Sequence, residues 1–171
     1  MIVAAAPDLE TLSLADLARK TGPELEELYA RAHPPDPAAV EGDLRGRMLA
    51  VTALPLPLQA LARRAARARW FPWLGKSFRP LGQGQGEGLN RVIRDGWRWF
   101  RFTTALGPSR AGPFQALQLD YDHPWNPAPI RAIQDEVREL RPGLLLGQAW
   151  LVVRGRARLV LWFGLERPAR A

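Results

Sequence analysis

Cysteine is absent from this chain, which removes disulfides, a thiolate nucleophile and any Cys-ligated zinc site. Histidine is nearly as scarce. His33 and His123 are the whole supply, so a two-histidine metal site or a serine triad has almost no material. Lysine is rare too: of 24 basic residues only Lys20 and Lys76 are lysine, the rest being arginine. Long apolar runs are missing. The longest, Leu159 to Leu165, falls far short of the about 20 residues that a spanning helix needs. The opening stretch, residues 1–6, lacks a basic region and is too short for a signal-peptide core. These absences point to a soluble cytoplasmic protein.

What is present is ordinary globular material. The 171 residues suit one domain with a real core, and 47% hydrophobic content argues against global disorder. The net charge of +7 invites a nucleic-acid partner. The arginine bias, accompanied by many Ala, Pro and Gly residues, is equally the mark of GC-rich coding, so charge weighs little.

Taken in order, Ser13 is placed to cap a helix from Leu14 to Lys20, and Thr21-Gly22-Pro23-Glu24 opens a second helix that stops at His33-Pro34-Pro35. The pair has the look of a helix-turn-helix, but Glu24, Glu26 and Glu27 on its second helix would repel phosphates. A packing arm over residues 1–40 is the expectation, followed by a β-domain over 41–167. Strands are predicted near 43–53, 76–81, 89–94, 97–105, 113–121, 144–153 and 157–166. Leu117, Leu119 and Tyr121 share one face of the fifth. In the last hairpin Arg154-Gly155 is the turn, with Leu159, Leu161 and Phe163 toward the core.

Two helices are predicted within the β-domain. Leu58 to Trp70 is amphipathic, with Arg63, Arg64 and Arg67 on one side, a surface for an anionic membrane or simply for water. Asn126-Pro127 opens the other, whose stripe of Ile130, Ile133, Val137 and Leu140 has helical spacing and whose Arg131 and Asp135 suit an i,i+4 pair. Two glycine signals fail as nucleotide sites. Gly75-Lys76-Ser77 imitates the end of a P-loop, but Trp70 stands where its first glycine belongs. The glycines from Gly82 to Gly88 miss the dinucleotide spacing and read as a loop at a portal. No cofactor or metal is predicted.

Two groups of residues could carry chemistry. Asp120, Asp122 and His123, joined by Glu136, could run acid–base chemistry of an isomerase or hydrolase type, or equally cap a turn and a helix. Alternatively, Trp99, Arg101, Tyr121, Trp150 and Asn90 could wall an apolar pocket, or pack a solid core.

The strand order, with Gly42-Asp43-Leu44-Arg45-Gly46 at its opening, resembles a lipocalin-like (calycin) barrel. The run from Leu119-Asp120-Tyr121-Asp122 to Leu165-Glu166-Arg167 is similar to uncharacterised bacterial GxWxG-type domains, with Leu44 at the tryptophan position. The resemblance covers residues 41–167 and implies a pocket for a small hydrophobic molecule, without catalytic residues. The expected fold is therefore mainly β (α+β): an antiparallel lipocalin-like barrel of about seven to nine strands. N-terminal helices, a basic helix after the first strand and a helix before the last hairpin complete it. Three functions follow. The first is a binding protein for a small hydrophobic or amphiphilic ligand. The second is an enzyme using Asp120, Asp122 and His123, and the third is a basic-helix partner of nucleic acid or membrane.

Overall fold

The structure, a computed structural model, describes residues 8–52, 73–93 and 97–168. Eight antiparallel strands, each bonded to its neighbour in sequence, close into a barrel in which β8 pairs with β1. They are β1 (Gly42–Val51), β2 (Trp73–Gly82), β3 (Gln85–Val92), β4 (Arg98–Pro108), β5 (Gln115–Asp120), β6 (Ile133–Arg141), β7 (Leu144–Val153) and β8 (Arg156–Glu166). Closure leaves no unpaired edge to template association with another chain. Two turns have the geometry that right-handed strand twist favours, both central residues lying at positive φ: Gln83-Gly84 and Arg154-Gly155. The glycines from Gly82 to Gly88 are thus a hairpin, not the loop predicted. Gly86 and Gly88 lie within β3.

The sequence contains a strand that its helical spacing hides. Only Ala128–Arg131 is helical (α3, once α1 and α2 are counted below), and Ile133–Arg141 is β6. The helix expected before the last hairpin is therefore a single turn. The reason is burial on both faces. Val137 points into the barrel, while Leu140, on the opposite face, is covered by the N-terminal segment. A strand covered on both sides loses the alternation that identifies it. The predicted Arg131–Asp135 pair is likewise absent: Arg131 binds Asp122, and Asp135 binds Lys76.

That N-terminal segment carries helices α1 (Leu14–Leu17) and α2 (Gly22–Arg31). The predicted caps form: Ser13 and Asp16 cap each other reciprocally, and the Glu24 carboxylate accepts from the Thr21 backbone N–H at 2.7 Å. Leu14, Leu17, Leu25, Leu28 and Tyr29 pack on the outer face of the barrel against Leu49, Leu146 and Trp162. Helix α1 comes so close to β8 that a Cβ at Gly164 would lie 2.5 Å from Leu14. The buried Arg138 of β6 ties the arm down, donating to the carbonyls of Tyr29 and Ala32 at the end of α2 and to that of Gln115. His33 adds a two-way backbone bridge to Glu139.

The predicted basic helix with Arg63, Arg64 and Arg67 falls outside the described residues. No helix among the described residues is long and apolar enough to cross a membrane.

Candidate functional site

The barrel is filled at one end and hollow at the other. Leu44, Phe78, Phe102, Leu117, Val137 and Leu165 fill the first half with apolar side chains. Phe102 fits because it lies over Gly88, and Phe163 because it lies over Gly147, where a Cβ would meet the ring at 2.3 Å. Beyond Phe163 the interior holds a cavity of about 340 Å³, walled by Met48, Trp73, Phe100, Ile133, Leu161 and Phe163. Two β-bulges shape this wall. One sets Phe100, at φ +56°, as the extra residue opposite Leu89 and Asn90; the other sets Val160 between the pairs Ala149–Leu161 and Trp150–Leu159.

Four polar side chains sit at the junction of the two halves and form the floor of the cavity: Lys76, Asn90, Tyr121 and Asp135. Strand geometry assembles them. Lys76 and Asn90 are direct cross-strand partners on β2 and β3, Asp135 pairs across to Leu119 and Ala149, and Tyr121 follows the last residue of β5. Lys76 is 2% exposed. Its Nζ lies 2.9 Å from Asp135 Oδ2, and donates to Asn90 Oδ1 at 2.9 Å and to Tyr121 OH at 2.5 Å. Three acceptors for three N–H donors is the full complement of an ammonium. Tyr121 OH in turn donates to Asp135 Oδ2 at 3.0 Å and accepts from Asn90 Nδ2 at 3.0 Å. Asn90 Oδ1 also accepts from Trp73 Nε1 at 3.0 Å, which joins the cavity wall to its floor.

The rings of Trp73, Phe102, Tyr121 and Phe163 surround this ammonium, with centroids 5.1 to 5.6 Å away. Loss of water pulls Lys76 below the usual lysine range, opposed by the charge and hydrogen bond of Asp135. Burial, reinforced by the Asp135 charge, pushes the Tyr121 phenol well above its ordinary value. The result is a neutral, desolvated charge pair under an apolar chamber. One valence is open: Asp135 Oδ1 is buried without a hydrogen-bond partner among the described residues.

Of the residues singled out in the sequence, Asn90 and Tyr121 meet at this floor. Trp99, Arg101 and Trp150 do not line the cavity. Trp99 is 46% exposed against Trp97 and Phe100, Arg101 lies over the exposed Trp125 ring, and Trp150 Nε1 donates to Glu136. Asp120, Asp122 and His123 stand outside the cavity as well. Asp120 accepts from the Asp122 backbone N–H, Asp122 pairs with Arg131, and His123 Nδ1 accepts from the Trp125 backbone N–H. Glu136 is buried and does not line this cavity, accepting instead from Ser109, Arg110, Gln118 and Trp150. Among the described residues, no group of three or more His, Asp or Glu side chains is arranged to hold a metal ion.

Lys76, Asp135 and Trp73 escaped the sequence reading. The signal for Lys76 was there: it is two residues from Phe78 in a predicted strand, so it shares the inward face with a core phenylalanine. Asp135 carries the same signal between Ile133 and Val137, once that segment is taken as a strand.

No family model matches this chain, and no curated protein does. A solved structure of a protein from Thermomonospora curvata is similar, with a TM-score of 0.55, 20% sequence identity, and coverage of 88% of this chain and 89% of that one. At that identity the likeness concerns the barrel alone.

Proposed function

We propose that this barrel is a soluble binding protein for one small, largely apolar molecule that bears a single polar group. The observation that carries the reading is the cavity of about 340 Å³ set on a floor of four hydrogen-bonding side chains. Its volume lies at the small end of the roughly 300–1,000 Å³ of ligand pockets, and its composition is theirs: apolar walls with a few convergent polar groups. Barrels of eight strands have room for one such guest, and the lipocalin-like strand order agrees with that use. Cavity-filling provides the test. Ala149 lines the chamber, and Ala149→Phe would occupy it. The wild-type protein should bind an apolar aromatic probe saturably at one site, and the folded A149F variant should not. Equal binding by both would place the probe elsewhere and defeat the reading.

A further inference from the structure

The four floor residues say more about the guest than that it is apolar. Lys76 has given all three N–H bonds, to Asp135, Asn90 and Tyr121. The Tyr121 hydroxyl proton goes to Asp135, the Asn90 amide donates to Tyr121 OH and the Phe100 carbonyl, and the Trp73 indole donates to Asn90. Every donor of the floor is engaged. A carboxylate entering the cavity would therefore find no N–H or O–H of this floor free to receive it. It would also bring an uncompensated charge beside a pair that is already neutral.

The open position is an acceptor. Asp135 Oδ2 takes Lys76 and Tyr121, whereas Oδ1, on a side chain that lines the cavity and is 5% exposed, has no hydrogen-bond partner among the described residues. A buried carboxylate oxygen without a donor is costly, and a group that supplied one would be held more strongly than by area alone.

We infer that the polar group of the guest is an uncharged hydrogen-bond donor, a hydroxyl on an aliphatic or aromatic body, whose proton goes to Asp135 Oδ1. The selectivity is then for alcohols or phenols over carboxylic acids, ethers and hydrocarbons of the same shape. This assignment rests on the carrier reading above.

Matched probes separate the two. Equilibrium dialysis of the wild-type protein against naphthol, its methyl ether, naphthalene and naphthoate, at neutral pH, compares one body with four polar ends. Naphthol should bind at least about tenfold more tightly than the ether or the hydrocarbon, the gain expected of a hydrogen bond to a charged acceptor. Naphthoate should bind weakest. In the double variant K76M/D135L, which removes both charges together, naphthol and its ether should bind alike. Equal affinities in the wild type would overturn the assignment and leave the carrier reading standing. Tightest binding of naphthoate would overturn it too. Failure of all four probes to bind removes the carrier reading itself. If the double variant does not fold, the wild-type series still decides.

Discussion

Replacing Lys76 with methionine tests whether the floor of the cavity is the desolvated charge pair that its geometry describes. The substitution keeps an unbranched side chain among the rings of Trp73, Phe102, Tyr121 and Phe163, so apolar packing is largely conserved. The polar neighbours fare unequally. Asn90 Oδ1 keeps the Trp73 indole, and the Tyr121 hydroxyl keeps its donor Asn90 and its acceptor Asp135. The loss therefore falls on Asp135, which stays buried with one hydrogen bond and no countercharge. Breaking a buried pair from one side costs about 3–5 kcal/mol. With an m-value of roughly 2 kcal/mol/M, the urea midpoint of K76M should fall by roughly 2 M. In K76M/D135L the stranded charge is gone, and the same accounting predicts a stability near that of the wild type or above it. A coupling energy of several kcal/mol, favouring the double variant over the sum of the singles, is the expected outcome. A K76M loss below about 1 kcal/mol would refute the reasoning, because it would make the pair equivalent to a solvated one. So would a double variant as unstable as the two singles added together.

Two further outcomes follow from the interior. Gly147→Ala places a methyl group 2.3 Å from the Phe163 ring, which is fixed edge-on to Trp73 at 5.8 Å, so the ring cannot simply give way. Overpacking of this kind costs about 1–3 kcal/mol, and an unchanged thermal midpoint would show that the ring has room to move. The chain has two tyrosines, Tyr29 and Tyr121. Both are raised above the ordinary value of 10.0, chiefly by burial and then by the charges of Glu136 and Asp135 respectively. The native state thus keeps phenolic protons that the unfolded chain sheds, so this contribution to stability is complete below pH 10.0 and is lost as pH rises further. Ultraviolet titration should show tyrosinate only as the circular dichroism of the fold disappears; a reversible tyrosinate signal near pH 10.0 in the folded protein would contradict it.

The sequence shows its strands wherever one face is wet. Leu117, Leu119 and Tyr121 alternate with the half-buried Gln118 and the exposed Asp120 and Asp122, and β5 was legible for that reason. β6 was not, because the arm covers its outer face: Glu136 and Arg138 are buried there as deeply as Val137 is inside. Bulges hide a second kind of information. A strict alternation puts Leu159, Leu161 and Phe163 on one face, but the extra residue Val160 turns Leu159 outward against the helices while Leu161 and Phe163 stay in the barrel. No residue type announces such a shift, so aromatic size points to Trp99 and Trp150 as pocket walls and passes over Trp73. The floor was half legible. Tyr121 and Asn90 lie at inward positions of predicted strands. The spacing of Arg131 and Asp135 suits a helical pair, and Gly75-Lys76-Ser77 reads as the end of an incomplete phosphate loop, so neither pattern points to the floor.

Adjacent residues on β6 show why the floor reads as a site. Glu136 is 0% exposed, and its carboxylate receives the Ser109 hydroxyl at 2.9 Å, the Arg110 backbone N–H at 3.1 Å, Gln118 Nε2 at 3.2 Å and Trp150 Nε1 at 3.2 Å. Such a carboxylate is consumed by structure: it knits β5, β6, β7 and the loop after β4, and no donor is left to arrive. Asp135, one residue earlier and facing the other way, has two donors on one oxygen and, among the described residues, none on the other. Stability does not explain that arrangement, since apolar residues of similar volume at both ends of a buried pair serve a core equally well or better. A fold that satisfies one buried carboxylate four times over had the means to satisfy its neighbour. It instead leaves one oxygen of a cavity-lining side chain without a donor among the described residues, and a hydroxyl bound in the cavity would supply one.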